Sequence, residues 1–158
     1  MDELARRVGA RLEEAQAMLA TAESCTGGWA AQVVTSVAGS SAWFDRGFVT
    51  YSNEAKQELL GVRAETLERH GAVSEETARE MACGALARSR ASITLAVTGI
   101  AGPSGGSSEK PVGTVCFAWA QRDTVQSETR RLSGDRESIR RQSVILALEG
   151  VLRALDGA

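Results

Sequence analysis

Apolar and polar positions along the chain follow two periods, one helical and one short and strand-like. Leu4, Val8, Leu12 and Ala15 share one face of a helical repeat, with Arg6, Arg7, Arg11, Glu13 and Glu14 largely off it, which predicts a first helix packed on a sheet. Residues 17–22 read as a short buried strand. Trp29, Ala30, Val33, Val34 and Val37 return to helical spacing, predicting a helix from about residue 27 to 37 that stops where Ala38-Gly39-Ser40-Ser41 replaces the apolar repeat. Trp43 and Phe44 precede a turn candidate, Asp45-Arg46-Gly47, which leads into a strand at Phe48-Val49-Thr50-Tyr51. Ser52 or Asn53 can cap a short helix that closes at Leu59, Leu60 and Gly61, and residues 63–70 suggest another ended by Gly71.

From Ser74 a longer helix runs to about residue 90, with Ala78, Met81, Ala82, Ala85 and Leu86 as its apolar stripe. Residues 93–98 are short, β-branched and bounded by Gly99, the mark of a buried strand. Residues 113–119 and 124–132 then form a hairpin, and Asp135 caps a last long helix carrying Ile139, Val144, Ile145, Leu148, Val151, Leu152 and Leu155. Helices separated by buried strands predict a three-layer α/β/α domain, its sheet mostly parallel and made mixed by the terminal hairpin. No internal repeat or linker interrupts it, so residues 1–158 read as one domain.

Composition narrows the function classes. A formal charge of −2 offers no general attraction to nucleic acid or to an anionic membrane. Aromatics are only 4%, so the core must be built largely from Ala, Val, Leu and Ile. Cys25, Cys83 and Cys116 are an odd set with no paired spacing, which argues against a disulfide framework. With no run long enough for a membrane span and a charged helical pattern at the N-terminus, the expected location is the cytoplasm.

Candidate chemistry concentrates at strand ends. Thr21-Ala22-Glu23-Ser24-Cys25-Thr26-Gly27-Gly28 joins a strand to a helix, so Ser24, Thr26, Gly27 and Gly28 are expected in the field of the helix's first amides, where an oxyanion or a phosphate is favoured. The same string is also readable as a Gly-rich turn capped by Thr26, and it fits neither the P-loop nor the dinucleotide fingerprint. Lys56 lies one turn into the helix after residue 53; it is a solvated lysine unless that helix starts beside Ser24. Thr98, Gly99 and Gly102 open a glycine-rich loop over residues 99–108, suited to close backbone approach or to a mobile connection. Arg136, Arg140 and Arg141 oppose the dipole at the start of the last helix, which suggests an anionic ligand or nearby carboxylates. His70, the sole histidine, sits beside a terminating glycine, a poor place for a catalytic base.

Taken in order, six blocks resemble a known family: Ala22-Glu23-Ser24-Cys25-Thr26-Gly27-Gly28; Ala38-Gly39-Ser40-Ser41; Gly47-Phe48-Val49-Thr50-Tyr51-Ser52-Asn53 with Lys56; Gly71-Ala72-Val73-Ser74; Thr98-Gly99-Ile100-Ala101-Gly102-Pro103; and Lys110-Pro111-Val112-Gly113-Thr114-Val115. Over nearly the whole chain the sequence is similar to the C-terminal domain of the competence/damage-inducible CinA proteins, and more closely to the free-standing nicotinamide-nucleotide amidohydrolases. The resemblance implies hydrolysis of nicotinamide mononucleotide to nicotinate mononucleotide and ammonia, with no cofactor and no metal. It also implies Ser24 as nucleophile, Lys56 as its partner, Tyr51 as an assistant, and Thr98 and Arg140 as site residues.

On that reading the oxyanion faces the amides at the start of the helix at Gly27, and the loop after Thr98 with Arg136 or Arg140 receives the phosphate. Lys56 must be neutral to act as base, favoured by burial or by a nearby arginine and opposed by a carboxylate such as Glu23. Competing readings are a nucleotide-binding or regulatory domain with little catalysis, and a serine amidase for another pyridine carboxamide. Cys25, adjacent to Ser24, is the rival nucleophile. A homo-oligomer, most simply a dimer, is expected if Trp43 and Phe44 are surface aromatics at an interface.

Overall fold

A computed structural model describes residues 1–157. Its elements are α1 (Asp2–Glu14), β1 (Leu19–Glu23), α2 (Trp29–Thr35), a 3-10 turn (Ser40–Ala42), β2 (Phe44–Val49), α3 (Asn53–Leu60), α4 (Ala64–His70), α5 (Glu75–Ala87), β3 (Ile93–Gly99), β4 (Thr114–Gln121), β5 (Thr124–Arg131) and α6 (Arg136–Asp156). The strands form one sheet in the order β2-β1-β3-β4-β5. β1 pairs in parallel with β2 and β3, whereas β4 is antiparallel to both β3 and β5. Four strands therefore run one way and β4 alone is reversed, so the sheet is mixed as the terminal hairpin predicts.

Two cores sandwich this sheet, and the alternation of side chains along the strands separates them. Ile93, Leu95 and Val97 of β3 and Val115, Phe117 and Trp119 of β4 face α1, α2 and α6. The other face carries Ala96, Cys116, Ala118 and Ala120, against α5. Small residues there let α5 lie close to the sheet. On the bulkier side Gly150 makes room for Trp119, because a Cβ at Gly150 would stand 2.0 Å from the indole ring. The indole nitrogen in turn donates to the Ala147 carbonyl at 2.9 Å.

Three expectations change. Asp45-Arg46-Gly47 is not a turn but the middle of β2; the reversal is made earlier, by the 3-10 turn. Gly47 is needed in that strand for close packing, since a Cβ there would lie 2.8 Å from Thr21 Oγ1 of the neighbouring strand. Trp43, expected at an interface, is 2% exposed and packs on Gly9 of α1, while Phe44 is half-buried against the same core. These aromatics are core material, and the dimer expectation loses its basis. Finally, α2 begins at Trp29 rather than Gly27, because Gly27 and Gly28 adopt positive φ of 60° and 99°.

Candidate active site

The C-terminal ends of β1 and β3 and the segment after β2 converge on one cleft of about 190 Å³, lined among others by Ser24, Tyr51, Asn53, Lys56, Thr98 and Arg136. Ser24 directly follows β1. Its amide donates to the Val97 carbonyl at 3.0 Å, and the Thr50 amide donates to the Glu23 carbonyl at 2.8 Å. Sheet hydrogen bonding thus continues on both sides past the formal end of the strand and fixes the serine's backbone. The chain then turns through Gly27, whose amide donates to the Ser24 carbonyl at 3.0 Å.

Lys56 reaches the same point from α3. Ser52 caps that helix by accepting from the Ala55 amide at 3.0 Å, which directs residue 56, one turn later, back toward the sheet. Lys56 is 1% exposed, and its Nζ donates to Ser24 Oγ at 2.9 Å, to the Thr50 carbonyl at 2.9 Å and to the Tyr51 carbonyl at 3.2 Å. Burial pushes its pKa below the ordinary lysine value of 10.5. Neither Arg140 nor Glu23 is among the causes of that shift; desolvation is the driver.

The helix-amide cradle expected for an anion is already filled from within. Glu23 is fully buried, and its carboxylate accepts from the Ala30 amide at 2.8 Å, the Ala31 amide at 3.1 Å and Thr26 Oγ1 at 2.7 Å. An internal anion satisfies the first turn of α2, so an external one finds no vacancy there. The Thr26 side chain is correspondingly buried and committed to Glu23. The amides of Cys25 and Thr26, just upstream, make no hydrogen bond to another described residue.

Other residues singled out by sequence divide between the cleft and its walls. Thr98 and Gly99 line the cleft, and Thr98 Oγ1 donates to the Ala72 carbonyl at 2.8 Å, holding the loop that forms the opposite wall. Tyr51 lines it too, but its hydroxyl does not bridge Ser24 and Lys56: Lys56 uses its carbonyl, and the hydroxyl accepts from Arg136 Nη2 at 3.3 Å. Arg136 also donates to the Gly102 carbonyl at 2.8 Å, so it ties two loops at the cleft mouth. Arg140 holds the nucleophile turn instead, donating to the Cys25 carbonyl at 3.0 Å and the Thr26 carbonyl at 3.2 Å while lying over the Trp29 ring. A groove of about 470 Å³ lined by Trp29, Arg136, Glu137 and Arg140 adjoins the cleft through Arg136.

Cys25 borders the cleft, but burial pushes its thiol up to about 12, so it is protonated and a poor nucleophile at neutral pH. His70 does not line the cleft; it lies on the surface with Nδ1 3.8 Å from a Glu76 carboxylate oxygen. A larger cavity of about 700 Å³ opens at the opposite, N-terminal end of the parallel strands, around Ser92, Gln121 and Asp123, where no nucleophile is paired with a base. Asn53, expected only as a possible helix cap, also lines the cleft, as do Ala72, Val73 and Ala101, for which the sequence suggests no role of their own. Asn53 opens α3 and the other three lie in loops, and their proximity is purely tertiary.

The sequence profile of the CinA C-terminal domain matches residues 1–155. The chain belongs to the CinA C-terminal domain family. A curated member from Escherichia coli K12, the nicotinamide-nucleotide amidohydrolase PncC, is 58% identical over 151 residues, covering 93% of this chain and 90% of its own length. Among solved structures, the competence/damage-inducible protein CihA from Agrobacterium tumefaciens is 53% identical with a TM-score of 0.94, covering 98% of this chain and 94% of that one. A CinA superfamily protein from Klebsiella pneumoniae is 42% identical with a TM-score of 0.96, covering 99% and 98%. The CinA fold is thus shared over nearly the whole chain. No helix among the described residues is long and apolar enough to cross a membrane, and no three His, Cys, Asp or Glu side chains among them are grouped to hold a metal.

Proposed function

We propose that this CinA-family chain hydrolyses nicotinamide mononucleotide to nicotinate mononucleotide and ammonia, with Ser24 as nucleophile and Lys56 as general base. The observation that carries the reading is the buried 2.9 Å contact between Lys56 Nζ and Ser24 Oγ at the end of the sheet. The amidohydrolase name of the E. coli relative, at 58% identity, supports the substrate.

The lysine's three partners explain how it acts. Two of them, the Thr50 and Tyr51 carbonyls, are acceptors only, so a neutral Lys56 amine directs its two N–H bonds at them. Its lone pair then points at Ser24 Oγ. Ser24 loses its proton to that lone pair as Oγ attacks the carboxamide carbon, and the resulting oxyanion is received by the Cys25 and Thr26 amides. Each such donor contributes about 3–4 kcal/mol where charge develops. The ammonium formed on Lys56 protonates the departing nitrogen, C–N cleavage releases ammonia, and Ser24 is left acylated. Water, deprotonated by the regenerated amine, then attacks the acyl carbon; Lys56 returns the proton to Ser24 as nicotinate mononucleotide leaves. Arg136 at the cleft mouth receives the phosphate, exchanging its contacts with Tyr51 and Gly102 for the anion.

Ammonia release from nicotinamide mononucleotide tests this directly. Wild type should turn over, and Ser24→Ala and Lys56→Met should not. Substrate binding by wild type without ammonia would instead favour a nucleotide-binding domain, and equal turnover of free nicotinamide would favour a broader amidase.

A further inference from the structure

We propose that Asn53 is the residue that tells the amide substrate from the acid product, an inference that rests on the amidohydrolase reading above. Polar side chains around the cleft are otherwise committed. Ser24 and Lys56 bond each other, Thr98 donates to the Ala72 carbonyl, and Arg136 joins Gly102 to the Tyr51 hydroxyl. Cys25 is a buried, protonated thiol. Asn53 lines the same cleft, and its side-chain amide makes no hydrogen bond to any described residue. Its neighbour Ser52 supplies the helix cap, so the Asn53 side chain is not needed to cap α3.

A primary carboxamide and an asparagine side chain pair through two complementary hydrogen bonds. Asn53 Nδ2 donates to the substrate carbonyl, and Oδ1 accepts from its NH2 group. In the product that NH2 has become a carboxylate oxygen. One of the two hydrogen bonds is lost, and Oδ1 faces a negative oxygen. Rotating the Asn53 amide by a half-turn only exchanges which product oxygen is opposed. The residue therefore favours substrate and expels product, without touching the proton transfers between Lys56 and Ser24.

Binding of nicotinamide mononucleotide and of nicotinate mononucleotide, measured by calorimetry, separates these effects in an inactive Ser24→Ala background. The parent should prefer the amide by at least about tenfold, the equivalent of one well-made buried hydrogen bond. Adding Asn53→Ala should erase most of that preference by weakening the amide form. Adding Asn53→Asp, which keeps the acceptor, should retain it. Asn53 is exposed, so both variants should unfold at the parent's temperature. A parent without the preference, or one whose preference survives Asn53→Ala, overturns the proposal. Failure of the function itself reads out elsewhere, as absence of ammonia from wild type, whatever Asn53 does to binding.

Discussion

Lys56 Nζ lies 2.9 Å from Ser24 Oγ, although the two residues are 32 positions apart in sequence. The parallel pairing of β1 with β2 creates this contact. It sets the end of β1 beside the residues that follow β2, and the Ser52 cap turns α3 so that its first turn faces inward. Removing either partner should depress the maximal rate by about 10² to 10⁴ or more with little change in KM, as expected for groups that act on protons and bonds rather than on ground-state binding. Steady-state kinetics on Ser24→Ala and Lys56→Met checks this; a purely KM effect in Lys56→Met would remove it as the base.

Burial lowers the Lys56 pKa, so activity should rise with pH along an acid limb whose midpoint lies below 10.5. Lys56→Arg, charged at all accessible pH, should lack both the limb and the activity. Stability should carry the same signature. A depressed folded-state pKa means that the unfolded chain binds more protons between the folded value and 10.5, so folding gains stability as pH rises through that window. Urea unfolding of wild type against Lys56→Met should show the gain in wild type alone; parallel pH curves for the two proteins would contradict it.

Glu23 is the internal counter-ion of α2. Glu23→Gln removes its charge and faces an NH2 group toward amide donors, and should destabilise the fold by about 1.5–3 kcal/mol. Denaturant midpoints measure it. Cys25→Ala, in contrast, should retain most of the turnover because the thiol is protonated and takes no part in the transfer; loss of activity matching that of Ser24→Ala would reverse the assignment of the nucleophile.

Arg140 distinguishes two accounts of the arginines. Its fork holds the carbonyls of Cys25 and Thr26, the residues whose amides are assigned to the oxyanion. Arg140→Lys should lower kcat more than it raises KM, whereas Arg136→Lys should act mainly on KM. An Arg140→Lys defect confined to KM would instead make Arg140 the phosphate ligand.

Gly150→Ala tests the packing of α6. A methyl group 2.0 Å from the Trp119 ring must displace it, at about 1–3 kcal/mol for overpacking of this kind. Thermal unfolding should report the loss, with the cleft chemistry largely intact because Gly150 lies four turns beyond Arg136.

Much of the architecture was legible along the chain because its strands are short, apolar and separated by helical repeats: α1, β1, β3, the hairpin and α6 all appear where periodicity places them. β2 was misread at its start because Asp45-Arg46-Gly47 has turn composition. Its conformation is instead imposed by pairing with β1 and by the space beside Thr21. Trp43 was misread because an isolated tryptophan between loops carries no periodic signal, and only the gap at Gly9 shows where it goes.

The sequence by itself determined the order of elements, the strand-end placement of Ser24 and Thr98, and the family blocks, since these depend on local periodicity and on residue identity. Tertiary structure alone decided that Lys56 is buried against Ser24, that Glu23 rather than a ligand occupies the amides of α2, that Arg140 grips the turn while Arg136 guards the mouth, and that Asn53 faces the cleft. Hydrogen-bond partners and desolvation depend on which segments the sheet brings side by side, and that pairing has no local trace in the residues it joins.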